Sequence, residues 1–246
     1  MVKIILLNFF ITSILWGTTP INKLILEEIN TMPKGGGYSV KDVAFTALES
    51  SVQLNQQHPT IHLRSAIPSF CSSATYLVFL KTILKLESRN KLSPDVLNEL
   101  QFKGESDGVG FWGRWNANGP GVAKLVTDLK LGNNFQDYSK AMAGDFMKIF
   151  WSNEIGKKEH GHLVVFLESE TRGGQEYIKF WSSNQPDGYG IKEVPKSKIK
   201  WAIFSRIHHP KNISNITKLP KLDQFTADML KKSFSRSEVI EACKIK

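Results

Sequence analysis

Cys71 is the residue of this chain whose type and position best suit covalent chemistry. It lies in the stretch from residue 65 to 80, which is S-A-I-P-S-F-C-S-S-A-T-Y-L-V-F-L. Pro68 prevents a helix from continuing into this stretch from upstream, and Ser69 is a good N-cap residue. The apolar residues that follow recur at helical spacing, which predicts a buried helix with Cys71 in its first turn. The helix dipole and unpaired backbone N–H groups favour the thiolate there, so the sulfur is placed to act as a nucleophile.

A second interpretation of Cys71 is purely structural. Free cysteine is among the most often buried residue types, and it behaves as a small apolar side chain in a core. The chain has only one other cysteine, Cys243, and the two could pair in an oxidising compartment. Cys243 lies in a basic C-terminal tail that we expect to be poorly anchored. Two free thiols are therefore predicted.

A histidine that could activate the thiol comes at the start of a later apolar stretch. His162 directly precedes a predicted strand, and a turn at Gly173-Gly174 joins this strand to the next one. An antiparallel hairpin centred on Gly173 places His162 opposite Asn184, on one face of the sheet. If the centre lies half a residue later, Gln185 takes that place. Either amide could hold the imidazole in one tautomer while its other nitrogen takes the proton of the thiol.

The other histidines and Asp145 do not indicate a second site. His160 is the alternative base, but it lies outside the apolar stretch and is predicted to be exposed. No grouping of the histidines with a cysteine or carboxylate has a spacing typical of metal ligands, so no metal site is predicted. We expect Asp145 to cap or form a turn. The histidines predicted to lie in surface loops are His58, His62, His208 and His209.

The stretch from residue 104 to 121 combines glycines, amides and tryptophans, in the sequence G-E-S-D-G-V-G-F-W-G-R-W-N-A-N-G-P-G. Long aromatic loops of this kind are more often functional than idle. Tryptophans offer faces for sugars or peptide planes, and amides orient polar groups. This predicts one wall of a substrate cleft, with the alternative that the tryptophans fill the core. The predicted substrate-binding residues are Trp112, Trp115, Asn116 and Asn118.

The hydrophobic pattern predicts helices first and strands afterwards, which is typical of an α+β fold and not of alternating βαβ units. A helix capped by Ser39 is predicted up to about Leu54, with an inner stripe that includes Val40 and Val43. Ser93 and Pro94 are predicted to begin another helix. The remaining predicted helices are 21–30, the Cys71 helix ending by residue 87, 122–131 and 225–234. The predicted strands are 144–151, 162–167, 177–182 and 199–207.

Residues 1–19 have the features of a secretory signal peptide. Lys3 precedes an apolar run, residues 4–16, that is too short for a comfortable membrane span. The region from Leu15 to Gly17 lacks the small residue expected at its first position, so an uncleaved anchor is the alternative. The full chain of 246 residues is 41% hydrophobic, and the part after residue 19 suits one domain. We predict its core at about 39–207 and a basic extension at 208–246.

The positive charge of the chain is concentrated near its C-terminus. The formal net charge is +9, and residues 190–246 contain thirteen Lys or Arg and five Asp or Glu. Such a field could attract nucleic acid, a membrane surface or an anionic polymer. No nucleic-acid-binding motif accompanies it, so contact with an anionic envelope surface is favoured over nucleic acid. A charged face that only increases solubility is the other interpretation.

The order of the candidate residues resembles that of papain-like hydrolases, with a cysteine opening a helix, a histidine opening a strand and a polar residue on the neighbouring strand. In addition, G-D-F-M-K-I-F at 144–150 and G-H-L-V-V-F at 161–166 resemble strand openings of the NlpC and CHAP groups of bacterial cell-wall hydrolases. The resemblance covers about residues 65–204. It implies a papain-like, NlpC-type α+β fold, with Cys71 as nucleophile, His162 as base and Asn184 as the orienting residue. The insert from 103 to 121 departs from the minimal NlpC pattern.

The resemblance implies an exported, monomeric cysteine hydrolase without a cofactor. Its expected substrate is an amide bond in the stem peptides of peptidoglycan, cleaved through a thioester intermediate. One alternative keeps the three residues but changes the substrate, giving a secreted protease, deamidase or acyltransferase that acts on a protein. Another is a non-catalytic protein that binds the envelope through the aromatic stretch and the basic tail.

Overall fold

The computed structural model describes residues 19–55, 57–86 and 92–246. The predicted signal peptide therefore lies outside the described residues except for Thr19, as does the choice between cleavage and anchoring. None of the helices in the described ranges is long and apolar enough to cross a membrane.

Helices dominate the first half of the described chain and strands dominate the second, which confirms the α+β class. The helices are α1 Pro20–Asn30, α2 Asp42–Ser51, α3 Cys71–Leu86, α4 Pro94–Leu100, α5 Gly110–Trp115, α6 Val122–Asp128, α7 Gln224–Ala227 and α8 Arg236–Ala242. The strands are β1 Gly35–Gly36, β2 Val52–Gln53, β3 Thr60–Ile61, β4 Gly132–Phe135, β5 Phe146–Phe150, β6 Gly161–Arg172, β7 Gln175–Asn184, β8 Gly188–Pro195 and β9 Trp201–Ile207.

Seven of these strands form one antiparallel sheet in the order β1-β8-β7-β6-β5-β9-β4. Strands β5, β6, β7 and β9 occupy the four predicted strand positions, whereas β1, β4 and β8 were not predicted. Strand β8 follows β7 after a tight connection, and its outer residues are mostly polar and exposed. Exposed side chains need not be apolar, so the alternation of apolar and polar residues that predicts a strand is weak in β8.

Helix α3 is the central helix, and it packs against α1, β6 and β7. Its apolar residues are buried nearly all round, as expected for a core helix. The predicted cap at Ser69 is wrong, because the Ser69 hydroxyl donates to Ser183 Oγ at 2.8 Å. Phe70 takes the cap position: its carbonyl accepts the N–H of Ala74, and its own N–H donates to Ser73 Oγ at 3.0 Å.

Helix α2 begins two residues later than predicted, with Lys41 and not Ser39 at its N-cap position, and two positions of its predicted inner stripe face solvent. Val40 and Val43 are 63% and 54% exposed, although the other stripe residues, Ala44, Ala47, Leu48 and Val52, are buried. The segment before the helix is extended because the backbone of Ser39 and Gly37 bonds to that of Ser69. This pairing keeps Ser39 out of the helix and shifts the helical face, so the predicted cap and the first turn were wrong.

The C-terminal region is an integral part of the fold, contrary to the expectation of a poorly anchored tail. The predicted helix at 225–234 is wrong: α7 ends at Ala227, and the N–H of Phe234 donates to the carbonyl of Ile155. A capping box between Ser235 and Glu238 then begins α8. Cys243 follows α8, is 0% exposed, and packs in an apolar cluster with side chains of β5 and β9. Both cysteines are free, as predicted.

Asp145 forms the turn before β5, as predicted, and it also ties the helices to the sheet. Its buried carboxylate pairs with Arg206 at 2.7 Å and accepts the N–H of Met142 at 2.8 Å. Asn22 of α1 donates to the same carboxylate at 2.9 Å. The aspartate of the Gly-Asp pair therefore has a structural role here, away from Cys71.

Candidate active site

The Cys71 sulfur lies at the point where strands β6 and β7 separate. The last directly paired residues of the two strands are Val165 and Trp181, so Leu163 has no partner across the hairpin. The Leu163 carbonyl instead accepts the Ser182 hydroxyl at 2.7 Å, and its N–H donates to the Cys71 sulfur. The start of α3 is thereby brought to the end of the strand that carries His162.

His162 and Asn184 are joined by a hydrogen bond of 3.1 Å between Nε2 and Oδ1. The Asn184 amide nitrogen donates to the carbonyls of Ser182 and Gly190, at 3.2 and 2.8 Å. These two bonds decide the orientation of the amide, because its oxygen must then face the imidazole. His162 Nε2 accordingly carries the proton, which leaves Nδ1 as the ring nitrogen available to the Cys71 sulfur.

Asn184, and not Gln185, is the residue opposite His162. Near the turn the pairing is Arg172 with Gln175, which by itself would bring Gln185 into the position opposite His162. The register shifts by one residue between Phe166 and Glu168, where β6 contains an irregularity typical of a β-bulge. On the side of the bulge away from the turn, Phe166 pairs with Phe180 and Val165 with Trp181, which is the register of a hairpin centred on Gly173. Gln185 is exposed.

The surroundings of Cys71 lower the pKa of its thiol to about 7. Burial acts in the opposite direction and would raise the pKa, because it disfavours the charged form. The hydrogen bond and positive charge of His162 outweigh it, with the Leu163 N–H and the charge of Lys148 adding to the effect. A substantial fraction of the thiol is therefore ionised near neutral pH, as a nucleophile requires. Tyr38 beside it has a pKa raised to about 12 by burial and by the Cys71 thiolate.

A cavity of about 660 Å³ opens beside the thiol. Three of the four predicted substrate-binding residues, Trp115, Asn116 and Asn118, line it together with Cys71. Asn118 donates its amide N–H to the Gly156 carbonyl at 3.1 Å, so it also joins two walls of the cavity. The stretch from 104 to 121 thus does reach the site, through the residues that follow α5.

Trp112 does not reach the cavity, which corrects its predicted role as a cleft wall. It is 1% exposed and packs edge-on against Tyr76 and Phe102, with ring centroids 5.2 and 5.0 Å apart. Trp115 is 3% exposed, and its indole N–H donates to the Ser72 carbonyl at 3.1 Å. Because residues 110–115 form a helix, both indoles are buried, as the core-filling alternative predicts, although Trp115 also lines the cavity.

Sequence analysis missed a buried ion pair in the cavity wall. Lys148 Nζ and Glu159 Oε1 are 2.5 Å apart, and both side chains are largely buried. The other Glu159 oxygen accepts the N–H groups of Gly119 and Gly156, so one carboxylate holds three segments together. Lys148 is the one charged residue in the otherwise apolar strand F-M-K-I-F. A charge at this position was the sequence signal that could have predicted a buried ion pair.

The other histidines remain apart from the thiol. His160 is exposed at the edge of the cavity, and the four remaining histidines are exposed on the surface, as predicted. In the ranges that the structure covers, no group of three His, Cys, Asp or Glu side chains could hold a metal ion.

Comparison with protein-family models, with curated proteins and with solved structures gave no match to this chain. The papain-like resemblance therefore remains a prediction that rests on the residues and their geometry.

Proposed function

We propose that the protein is a cysteine hydrolase of the papain-like, NlpC-related kind, which cleaves an amide bond through a thioester. The observation that carries the proposal is the chain of contacts from Cys71 to His162 to Asn184, with the thiol pKa lowered to about 7. A thiol buried only for packing would have a raised pKa, because nothing would offset the loss of solvation. The partial exposure of Cys71 to a cavity also favours chemistry over packing.

Each of the three residues has a distinct part in the proposed reaction. His162 Nδ1 takes the proton of Cys71, and the sulfur attacks the carbonyl carbon of the substrate. The negative oxygen of the tetrahedral intermediate is stabilised by N–H groups at the start of α3, which have no acceptor within the helix. His162 then protonates the leaving amine, and the C–N bond breaks to give the thioester. Water, deprotonated by His162, hydrolyses the thioester, while Asn184 keeps the imidazole oriented throughout.

Peptide stems of peptidoglycan are the proposed substrate class, with a protein substrate as the alternative. The cavity has polar groups of both charges in its wall, Lys148 and Glu159, which suits a substrate that carries amide and charged groups. The signal-peptide features of residues 1–19 support export to the compartment where peptidoglycan lies.

The basic residues near the cavity support an anionic partner. The backbone N–H of Lys157 donates to the carbonyl of Lys232 at 3.1 Å, which places two basic segments side by side. Leu230 and His160, one from each segment, line the cavity. Lys157 and Lys158 are exposed, and Lys231 shares Asp228 with Lys232. We therefore propose that this edge contacts anionic groups of an envelope polymer during cleavage.

The decisive experiment is mass analysis of purified muropeptides before and after incubation with the protein lacking residues 1–18. Cleavage would give new species whose summed mass exceeds that of the parent by one water. The Cys71→Ala variant is the control and should give none. Retention of the protein on intact peptidoglycan without any new species would favour the envelope-binding alternative. Cleavage of added protein but not of muropeptides would favour the protease alternative.

A further inference from the structure

Exposed apolar side chains lie at the mouth of the active-site cavity. Val40, just before α2, is 63% exposed and Leu230, after α7, is 54% exposed, and both line the cavity together with Cys71. Val43 in the first turn of α2 is 54% exposed as well. Single exposed apolar residues are common on protein surfaces, but several at one cavity mouth are typical of an interaction surface.

The backbone beside these side chains is held in place. Met229, the residue before Leu230, is 0% exposed and packs in the core. Ser39, the residue before Val40, donates its N–H to the Ser69 carbonyl at 3.0 Å. Val40 and Leu230 are therefore presented to solvent by a fixed backbone, and neither is part of the core.

A lysine follows each of the two apolar side chains in the sequence. Lys41 comes directly after Val40, and Lys231 comes directly after Leu230. Asp228 pairs with Lys231 at 3.8 Å and with the lysine that follows it at 3.0 Å, so two ammonium groups share one carboxylate. The segment that carries Leu230 therefore keeps an excess of positive charge.

Two further lysines come from the segment that pairs with this one. The backbone N–H of Lys157 donates to the Lys232 carbonyl at 3.1 Å, and Lys158 is the next residue along the chain. We define the mouth surface as Val40, Val43 and Leu230 with the exposed lysines Lys41, Lys157, Lys158, Lys231 and Lys232. This surface combines aliphatic side chains with basic ones.

Both an envelope polymer and a lipid surface carry anionic groups that suit these lysines. A hydrated polymer leaves exposed aliphatic side chains in water. A lipid surface accepts both kinds of residue, because aliphatic side chains enter the boundary of the acyl chains while lysines remain among the headgroups. The apolar residues of the mouth surface therefore favour a lipid surface over a polymer.

We propose that the mouth surface docks on an anionic lipid surface, with the cavity and Cys71 facing the membrane. The lysines contact lipid headgroups in the docked protein, and a polymer is the competing partner that a test must exclude. The inference rests on the proposed function for the consequence of docking, which is that the thiol reaches an amide held at the membrane. The docking itself needs no reactive thiol.

Sedimentation with vesicles measures the docking directly. The protein lacks residues 1–18, so that their apolar run cannot insert into the lipid, and the described fold lies entirely in the residues that are kept. It also carries Cys71→Ala, so that no reaction accompanies binding. Vesicles of phosphatidylcholine with an equal amount of phosphatidylglycerol are anionic, and vesicles of phosphatidylcholine alone are neutral. Binding to the anionic vesicles should be roughly tenfold tighter or more, and added salt should weaken it.

Variants separate the apolar part of the mouth surface from the basic part. Leu230→Ser should weaken binding to anionic vesicles roughly tenfold, because one aliphatic side chain leaves the lipid. Lys231→Gln combined with Lys232→Gln should weaken it on the order of 25-fold, since each lysine near such a surface contributes about fivefold. The matched control is Ile191→Ser combined with Lys192→Gln, which should bind as the parent does. Ile191 is 61% exposed and is followed by a lysine, but it lies on β8 and is not part of the cavity wall.

Three results would overturn the inference, provided that circular dichroism shows each variant to be folded. The first is a parent protein that does not sediment with anionic vesicles. The second is a loss of binding in the lysine variant but not in Leu230→Ser, which shows a purely electrostatic contact and fits a polymer. The third is an equal loss in the Ile191 and Lys192 control, which places the contact elsewhere on the protein. Val40→Ser should act as Leu230→Ser does, and it replaces that variant if Leu230→Ser does not fold.

Failure of this inference can be told apart from failure of the proposed function. Cleavage that depends on Cys71, in a protein that does not bind anionic vesicles, overturns only the docking. Docking of a protein that cleaves neither muropeptides nor added protein supports the docking and overturns only the cysteine chemistry.

Discussion

Cys71 and Cys243 lie in two regions of the protein that shift the pKa of the same side chain in opposite directions. Cys71 is the first residue of α3 and faces a cavity, whereas Cys243 directly follows α8 and is fully buried. The pKa of the Cys71 thiol is lowered to about 7, and that of Cys243 is raised to about 12. For Cys243 the main cause is burial, and the nearby carboxylates of Asp128 and Asp223 raise its pKa further.

The difference lies in what each environment offers a negative sulfur. The start of a helix presents N–H groups to Cys71, and the end of a helix presents carbonyl oxygens to Cys243. Both thiols lose water, but only Cys71 has a histidine beside it to replace the lost solvation. Burial alone makes a cysteine inert, and burial with a basic partner makes it reactive.

The largest expected effect distinguishes the two cysteines by activity. Cys71→Ala should abolish hydrolysis and leave the free energy of unfolding nearly unchanged, because the sulfur lies at a cavity. Cys243→Ala should keep full activity and lose about 1–2 kcal/mol of stability, because it leaves a small void in the core. Turnover and unfolding midpoint, measured on both variants, test the contrast. An active Cys71→Ala protein would end the enzyme proposal.

Trp112 should behave like Cys243, as part of the core. Trp112→Ala is expected to cost about 3–5 kcal/mol of stability, because it removes a large, fully buried side chain. Trp112→Phe, which keeps an aromatic ring there, should cost clearly less. Denaturant unfolding of the two variants measures both values. Normal stability of Trp112→Ala combined with poor substrate turnover would instead restore its sequence-predicted role as a cleft wall.

His162→Ala should remove most of the difference in reactivity between the two cysteines. Without the imidazole, burial is no longer offset, so the pKa of Cys71 should rise from about 7 to above the ordinary thiol value of ~8.5. The rate of alkylation by iodoacetamide, measured against pH, gives this midpoint. His160→Ala is the matched control and should leave the profile in place. An unshifted profile in His162→Ala would mean that the two side chains do not interact.

The smallest expected effect is on the pH dependence of stability, where the two thiols act in opposite directions. The lowered pKa of Cys71 contributes stability above the unfolded value of ~8.5, and this contribution is lost as the pH falls through about 7. The raised pKa of Cys243 contributes stability below ~8.5, which is lost as the pH rises towards about 12.

Thermal midpoints of Cys71→Ser and Cys243→Ser across this pH range test the assignment. Relative to the parent, Cys71→Ser should lose the rise in stability between neutral and mildly alkaline pH. Cys243→Ser should lose part of the decline at higher pH. The same pH dependence in both variants would show that the two environments do not differ as described.

Features that depend on neighbouring residues were predictable from the sequence. The start of the buried helix near Pro68, the cap at Ser93 and the strand after His162 each follow from local spacing and residue type. Such features need only a few adjacent side chains to agree, because periodicity and capping act within one or two turns. The α+β class and the approach of His162 to an amide followed from them.

Tertiary structure decided the features in which distant segments compete for the same backbone or side-chain partners. Pairing with Ser69 took Ser39 out of α2, and contact with Ile155 interrupted the predicted helix before Phe234. The β-bulge between Phe166 and Glu168 determined that Asn184 faces His162, and the hydrophobic pattern of the sequence does not reveal this bulge. The reason is physical: a strand register or a buried contact is fixed by groups far apart in the chain, and the local pattern does not contain them.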